Sequence, residues 1–256
     1  MENHDQLEVL EEYKAHHDPR LIAKRLDEGP DSVYLKEFIY GAVDGAITTF
    51  AVVAGVAGAG LSAGVIIILG FANLLADGFS MAVSNYLGTR AENQHRQKIR
   101  QRENEEIETF PEGEIEEIRQ IYARKGFEGE LLEEAVDVIV SDRDKWVDTM
   151  VQEEFGLPLQ SHNAFKAGLA TFVAFCVVGF IPLMTYVSNW VQPGLVAQPF
   201  LWSCVLTGVA FFWVGAMKGR FVDQHWFVSG LETVGIGGIA AGMAYGVGVL
   251  LQGIVG

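Results

Sequence analysis

Cysteine is scarce in this chain of 256 residues. The two cysteines, Cys176 and Cys204, both lie inside apolar runs, and no CxxC pair is present. A disulfide framework or a cysteine-based metal site is therefore not expected, and both side chains are interpreted as small packing residues. Motifs for a nucleophile, a glycine-rich phosphate loop or a catalytic triad are also missing. We therefore expect that the protein is not an enzyme.

Positive charge is also in short supply, with 18 Lys and Arg against 33 Asp and Glu and a net charge of −15. This balance argues against a nucleic-acid partner and favours cations. Residues 162–256 are almost uncharged, whereas residues 91–160 hold 19 of the 33 acidic residues. Because half of the chain is hydrophobic, this segregation predicts a membrane protein with an acidic soluble insertion. A merely solvating acidic surface is the alternative.

Long apolar segments predict an all-α membrane protein with five transmembrane helices. The predicted spans cover about residues 35–59, 64–89, 164–188, 198–217 and 228–252. Lys and Arg occur before the first span, after the second and between the fourth and fifth. By the positive-inside rule, the amino terminus and the insertion between helices 2 and 3 are expected to be cytosolic.

Four parts of the chain are predicted from these patterns. They are an amino-terminal cytosolic segment (1–30) with an amphipathic helix from Pro19 to Glu28, helices 1 and 2 (31–90), the acidic helical insertion (91–160), and helices 3 to 5 (161–256). The second membrane helix has no breaker before about Glu108 and is expected to project into water. Three short helices are predicted to follow it, over residues 112–125, 128–141 and 144–155.

Polar side chains occur inside the first two predicted spans. Asn73, Asp77, Met81 and Asn85 are four residues apart, which predicts one polar face on the second helix. On the first helix Asp44 and Thr48 share a face, and Gly41-xxx-Gly45 favours close approach of another helix. Carboxylates at membrane depth are costly and indicate function. The predicted transport pathway consists of Asp44, Thr48, Asn73, Asp77 and Met81.

The chemistry of this set favours a divalent metal. Carboxylate and amide oxygens suit hard cations, and a thioether adds affinity for first-row transition metals such as Fe²⁺. A carboxylate in a low-dielectric site has a raised pKa, so a proton and a metal compete for it. That competition is the physical basis of proton-coupled antiport.

A second candidate metal site lies in the acidic insertion. Glu103 and Glu106 are spaced i, i+3 on the projecting helix, and Glu114 and Glu117 repeat that spacing on the next helix. Met150 and Glu154 are spaced i, i+4 before the third span. Helical carboxylates of this kind converge on metal ions in some bundles. Glutamate-rich helices also simply face solvent, so spacing alone leaves both interpretations open.

Four segments of the sequence resemble the vacuolar iron transporter family. They are YGAVDGAITTFAVVAGVAGAG, ADGFSMAVSNYLGTRAE, GFIPLMTY and LETVGIGGIAAGMAYGVG, and the similarity covers about residues 36–256. The resemblance implies five membrane helices, a homodimer with its pore at the subunit interface, and a cytosolic metal-binding domain between helices 2 and 3. It implies that Asp44 and Met81 line the pathway, and that the glutamates named above bind metal with Met150.

Two positions depart from the pattern of plant members of that family. Asn73 stands where they carry a glutamate, and Asp77 supplies a carboxylate one turn later. Val151 stands where they can carry a second methionine. Either Asp77 replaces the missing carboxylate on the same face, or ion choice or coupling differs. With Val151, the metal-binding domain is expected to hold metal with fewer thioether contacts.

The function expected from the residues and the resemblance is a proton-coupled transporter that moves Fe²⁺ out of the cytosol. Mn²⁺ is a second candidate substrate, with Zn²⁺ and Co²⁺ behind it. One alternative is a Mn²⁺ or broad divalent exporter, and another is a membrane-anchored metal buffer or sensor without transport. The expected location is a bacterial plasma membrane, with a vacuolar membrane as the alternative.

Overall fold

The computed structural model describes residues 11, 13–15, 17–28 and 34–255, and within them it is helical with no β-strand. The chain divides into two units, residues 1–36 and residues 37–256. In the first unit, α1 (Pro19–Glu28) confirms the predicted helix. It starts with proline, whose missing N–H is not needed in a first turn, and Arg20 N–H donates to Asp18 Oδ1 (2.8 Å). Much of the predicted segment 1–30 lies outside the described residues.

Nine further helices follow in the described chain. In order they are α2 (Leu35–Gly58), α3 (Ala63–Thr109), α4 (Pro111–Arg124), α5 (Gly129–Val140), α6 (Arg143–Glu153), α7 (Ala164–Gly179), α8 (Met184–Val191), α9 (Pro199–Phe221) and α10 (Trp226–Val255). Five stretches are long and apolar enough to cross a membrane: α2, α3, α7 with α8, α9 and α10. The prediction of five membrane helices is thus confirmed.

The third membrane stretch is broken, although the sequence predicted one continuous helix over residues 164–188. A 3₁₀ turn at Ile181–Leu183 separates α7 from α8. Pro182 has no N–H to donate, so a regular helix cannot continue undisturbed through it. Ser203 Oγ donates to Pro182 O (2.6 Å), and Thr185 Oγ1 donates to Pro199 O (2.9 Å). A side chain of α9 thus bonds to the break, and a side chain of α8 bonds to the backbone at the start of α9.

Small residues let α2 pack closely on its neighbours, as the Gly41-xxx-Gly45 pattern predicted. A Cβ atom at Gly41 or Gly45 would lie 2.4 Å from a backbone carbonyl oxygen of α7, that of Thr171 or Phe175. At the far end of α2, a Cβ at Gly58 would lie 2.4 Å from Tyr245 O of α10. The helix that carries Asp44 is thus held by backbone contacts that leave no room for side chains.

The α3 helix is a single rod of 47 residues, about 70 Å long at 1.5 Å per residue. Its first part, the predicted span 64–89, packs against α7. Since a hydrocarbon core is about 30 Å thick, the remaining residues extend well beyond it. The predicted continuation of this helix to about Glu108 is confirmed.

The projecting part of α3 forms a small bundle with α4, α5 and α6. The bounds of these three helices agree with the predicted ones to within two residues. Their shared core consists of Ile99, Ile107, Ile118, Val136, Trp146, Val147, Met150 and Val151. Arg100 on α3 pairs with Asp148 on α6. The residues from 91 to 160 are called the insertion below.

Candidate metal pathway and carboxylate cluster

Two predicted pathway residues meet between α2 and α3. Asn73 Nδ2 donates to Thr48 Oγ1 (3.2 Å) and to Thr49 Oγ1 (3.1 Å). Thr48 Oγ1 in turn donates to the backbone oxygen of Asp44, one turn earlier (2.9 Å). Thr49 is fully buried and is a residue of this site that the sequence pattern did not predict. The adjacent hydroxyls in the sequence Thr48-Thr49 were the signal that it belonged to the polar contact.

The two membrane carboxylates lie on the same helix pair, Asp44 one turn before Thr48 and Asp77 one turn after Asn73. Asp44 on α2 is half-buried and Asp77 on α3 is exposed on the isolated chain. Two carboxylates on neighbouring turns of paired helices repel each other when both are charged. No described residue forms a hydrogen bond or ion pair with either carboxylate group. A cation or a proton placed near both oxygens would relieve that repulsion.

The four polar residues of α3 do not stay on one face. Asn73 contacts α2, whereas Asn85 Nδ2 donates to Thr171 Oγ1 (2.7 Å) on α7. Four residues advance a helix by about 400°, so three such steps rotate the stripe by about 120°. Met81, between them, is half-buried and packs against the apolar core of the membrane helices. The predicted single polar face is therefore a stripe that winds from α2 towards α7.

All five of the predicted metal-binding glutamates come together in the insertion. Glu103 and Glu106 lie on the projecting part of α3, Glu114 and Glu117 lie on α4, and Glu154 follows α6 directly. Each of Glu103, Glu114 and Glu154 interacts electrostatically with Glu106 and Glu117. These five residues are called the glutamate cluster. The two i, i+3 pairs predicted from the sequence thus converge from α3 and α4, and Glu154 joins them from the end of α6.

Two members of the glutamate cluster are buried without hydrogen-bond partners. Glu103 is 1% exposed and Glu114 is 6% exposed. Among the described residues, neither Oε1 nor Oε2 of Glu103 has a partner, and Oε2 of Glu114 has none. Burying a charged carboxylate without a partner costs several kcal/mol. Such oxygens therefore favour either a proton or a metal ion.

Burial and mutual repulsion raise the proton affinity of the cluster. Burial first, and then repulsion from the other four glutamates of the cluster, above all Glu154, raise the pKa of Glu103 to about 7. Burial, followed by repulsion from Glu117, raises the pKa of Glu114 to about 7 as well. The pKa of Glu154 is raised by burial first and then by the adjacent Glu117. The cluster thus binds protons near neutral pH in the absence of another cation.

One basic side chain enters the glutamate cluster. Arg102 Nε donates to Glu106 Oε1 (3.0 Å), and its charge lies near Glu103 and Glu154.

The other methionine of the prediction, Met150, is fully buried in the apolar core of the insertion, with Val151 beside it. In the described part of the chain, no three His, Cys, Asp or Glu side chains stand in a ready-made metal-binding arrangement. The carboxylates of the cluster would have to turn toward a metal.

Comparison with known proteins finds similar chains. The sequence profile of the VIT family matches residues 35–249. A vacuolar iron transporter of Toxoplasma gondii is 38% identical over 232 residues, which cover 88% of this chain and 76% of that protein. A vacuolar iron transporter of Plasmodium berghei is 34% identical over 228 residues, 87% of this chain and 84% of that protein. Vacuolar iron transporter 1 of Oryza sativa is 30% identical over 219 residues, 85% of each.

Proposed function

The chain belongs to the VIT family, and on that premise we propose that it is a multi-pass membrane transporter that moves Fe²⁺ out of the cytosol in exchange for protons. The names of similar proteins point to iron as the substrate. The observation that carries the proposal is the pair of buried, unpartnered carboxylates of Glu103 and Glu114. They lie in a bundle that is continuous with a membrane-crossing helix.

In this proposal the glutamate cluster receives the metal on the cytosolic side. Carboxylate oxygens are ligands for divalent cations, and Fe²⁺ would offset both the burial cost and the repulsion among the glutamates. Met150 is the sixth proposed ligand, and a thioether at the site would favour a transition metal over Ca²⁺ or Mg²⁺. The insertion thus acts as a cytosolic metal-binding domain.

The metal then follows α3 to Met81 and Asp77 and leaves past Asp44. The amide N–H groups of Asn73 are engaged by Thr48 and Thr49, so this residue braces the two helices. We therefore assign the second carboxylate of the pathway to Asp77. Asp44 is the proton-exchanging group, because a carboxylate between apolar helices accepts either a proton or a metal.

A homodimer with the pathway at its interface fits the position of Asp77. On the isolated chain this carboxylate is exposed at membrane depth, where contact with lipid would cost about 3 kcal/mol or more. A second subunit over this face would instead enclose Asp77 in a hydrated pathway. The face of α3 that carries Asp77 is thereby the expected dimer surface.

Other substrates and the location belong to the same proposal. Mn²⁺ shares the ligand preference for oxygen and is the second candidate, followed by Zn²⁺ and Co²⁺. The sequence led to a bacterial plasma membrane as the expected location, and the relatives named as vacuolar proteins favour the vacuolar alternative. Export across either membrane removes the metal from the cytosol.

Reconstitution into liposomes that contain a metal-sensitive fluorophore tests the proposal. With Fe²⁺ outside under anaerobic conditions and an acidic lumen, we expect metal entry that stops when an ionophore collapses the pH gradient. Competition by Mn²⁺ added with the Fe²⁺ ranks the two substrates. An Fe²⁺ flux that does not depend on the pH gradient would contradict proton coupling.

The same assay separates transport from storage. A membrane-anchored buffer or sensor would bind Fe²⁺ at the glutamate cluster without moving it into the lumen. Binding in detergent combined with zero flux in liposomes would favour that alternative. Asp44 and Asp77 argue against it, since an inert anchor has no use for carboxylates at membrane depth.

A further inference from the structure

A cleft between α3 and α7 has the features of a lipid site. Its volume is about 300 Å³. It lies between α3 and α7, whereas Asp44 and Asp77 lie on α2 and α3. Apolar and aromatic residues line it, and the principal ones are Phe79, Val83, Tyr86, Phe165, Leu169 and Phe172. Phe79, Phe165 and Leu169 are exposed. A surface of this kind within a membrane-spanning region suits a hydrocarbon chain.

The helix register places two basic residues at one end of this cleft. The two helices run antiparallel, with Gly168 of α7 level with Ala82 and Tyr86 of α3. Arg90, one turn beyond Tyr86, donates from Nη1 to the Tyr86 hydroxyl (3.2 Å). Lys166 is the immediate neighbour of Phe165 at the start of α7. Both basic residues therefore lie where the apolar cleft meets the insertion.

Arg90 and Lys166 also differ from most basic residues of the insertion. Arg100, Arg119 and Arg143 each pair with an acidic side chain. Within the described part of the chain, Arg90 and Lys166 form no ion pair, and both are exposed. In a chain of net charge −15, two unpaired cations beside an apolar cleft point to an anionic partner.

We propose that this cleft binds an anionic glycerophospholipid, with an acyl chain between Phe79 and Phe172 and the phosphate at Arg90 and Lys166. Basic residues beside helices that cross a membrane attract anionic headgroups, each by roughly a fivefold change in affinity. The acyl chain adds the burial of apolar surface. The ligand class follows from this pairing of charge and cleft, and the proposal stands independently of the transported ion.

Native mass spectrometry of the full-length protein in detergent tests this site. The protein is titrated with phosphatidylglycerol or with phosphatidylcholine of the same chains. We expect phosphatidylglycerol to be retained preferentially, and the double variant Arg90→Gln with Lys166→Gln to bind it roughly 25-fold more weakly. Equal retention of the two lipids by the unaltered protein, or unchanged binding by the double variant, would overturn the proposal.

Two further variants locate the ligand. Leu169→Trp fills the cleft and should reduce phosphatidylglycerol binding while both cations remain. Arg220→Gln removes an exposed cation at the end of α9 and should leave binding unchanged. An equal loss in Arg220→Gln would assign the effect to overall surface charge. A change of subunit number in Leu169→Trp with lipid binding intact would assign the cleft to a second copy of the chain. Either result would refute the lipid site.

Discussion

The two carboxylate sites of this chain differ in what surrounds them. Between α2 and α3, the neutral polar groups of Asn73, Thr48 and Thr49 satisfy one another, and two carboxylates remain without partners. In the insertion, five glutamates lie together and an arginine partly offsets their charge. The membrane site therefore has only two carboxylates, each on a different helix. The glutamate cluster has five, and the loss of one leaves others that can take its place as a ligand.

This difference teaches how each site should respond to substitution. The two membrane carboxylates have different assigned roles, proton exchange at Asp44 and metal passage at Asp77, so removing either one should have an all-or-none effect. Removing one of five glutamates leaves four, so the effect should be graded. The four predictions below test this contrast, beginning with the largest expected effect.

Asp44→Asn should abolish proton-driven Fe²⁺ flux in proteoliposomes, a loss of at least about 100-fold, because the proposal assigns proton exchange to this carboxylate. Metal binding by the insertion should be unchanged, as measured by anaerobic calorimetry. Asp137→Asn, which removes a carboxylate from α5 outside both sites, is the matched control and should transport normally. Substantial flux in Asp44→Asn would remove this residue from the mechanism.

Glu103→Gln combined with Glu114→Gln should weaken Mn²⁺ or Fe²⁺ binding by about 10- to 100-fold, because each lost charged ligand is worth on the order of 1 kcal/mol or more. Calorimetry on the full-length protein measures this change. Glu105→Gln with Glu112→Gln removes the same number of charges from exposed positions. If both pairs weakened binding equally, the acidic surface as a whole and not the glutamate cluster would attract the metal.

The metal-free insertion should become less stable as the pH rises from about 5 to about 7. The pKa values of Glu103 and Glu114 are raised from 4.5 to about 7, so the folded state binds more protons than the unfolded state between these values. Stability therefore falls with pH across that window and levels off above it. The expected loss is on the order of 2 kcal/mol for each group.

Thermal unfolding followed by Trp146 fluorescence measures this dependence, with the other four tryptophans replaced by phenylalanine. The Glu103→Gln, Glu114→Gln pair should flatten the profile, and so should saturating Mn²⁺, which stabilises the charged form. A melting temperature that rises between pH 5 and pH 7 would contradict the raised pKa values.

Gly45→Ala should destabilise the membrane helices by about 1–3 kcal/mol, because its Cβ would collide with the backbone of α7. The unfolding temperature in detergent should fall accordingly. Gly88→Ala on α3 adds a Cβ with no atom within 4 Å and should be neutral or slightly stabilising. Equal unfolding temperatures for the two variants would show that the close packing of α2 on α7 does not contribute to stability.

Much of the fold follows from apolar runs and helix periodicity. The five membrane helices, the continuation of α3 and the three short helices were predicted with small errors at their ends. Pro182 shows where that reasoning stops. A proline inside an apolar run is compatible with a kink, a break or a tolerated bend, and only the bonds from Ser203 and Thr185 decide among them.

The candidate sites were less fully predictable. Spacing placed Glu103 with Glu106, and Glu114 with Glu117, but convergence of the two pairs depends on how α3 packs on α4. Burial of Glu103 and the approach of Arg102 are likewise tertiary properties. In the membrane, four-residue spacing suggested one face, whereas the accumulated rotation carries Asn85 to α7. Spacing in the sequence shows which residues are neighbours on one helix. It does not show which residues of another helix they contact.

The unbroken α3 has a mechanical consequence. Glu103 lies 13 residues beyond Arg90 on the same rod, about 20 Å along the axis, so a tilt of about 10° at the membrane boundary would displace it by about 3 Å. Metal–oxygen bonds of 2.0–2.6 Å do not survive such a displacement unless the other ligands move as well. If the glutamate cluster binds metal as proposed, the inclination of one helix in the bilayer would therefore open or close a coordination shell that lies wholly outside the membrane.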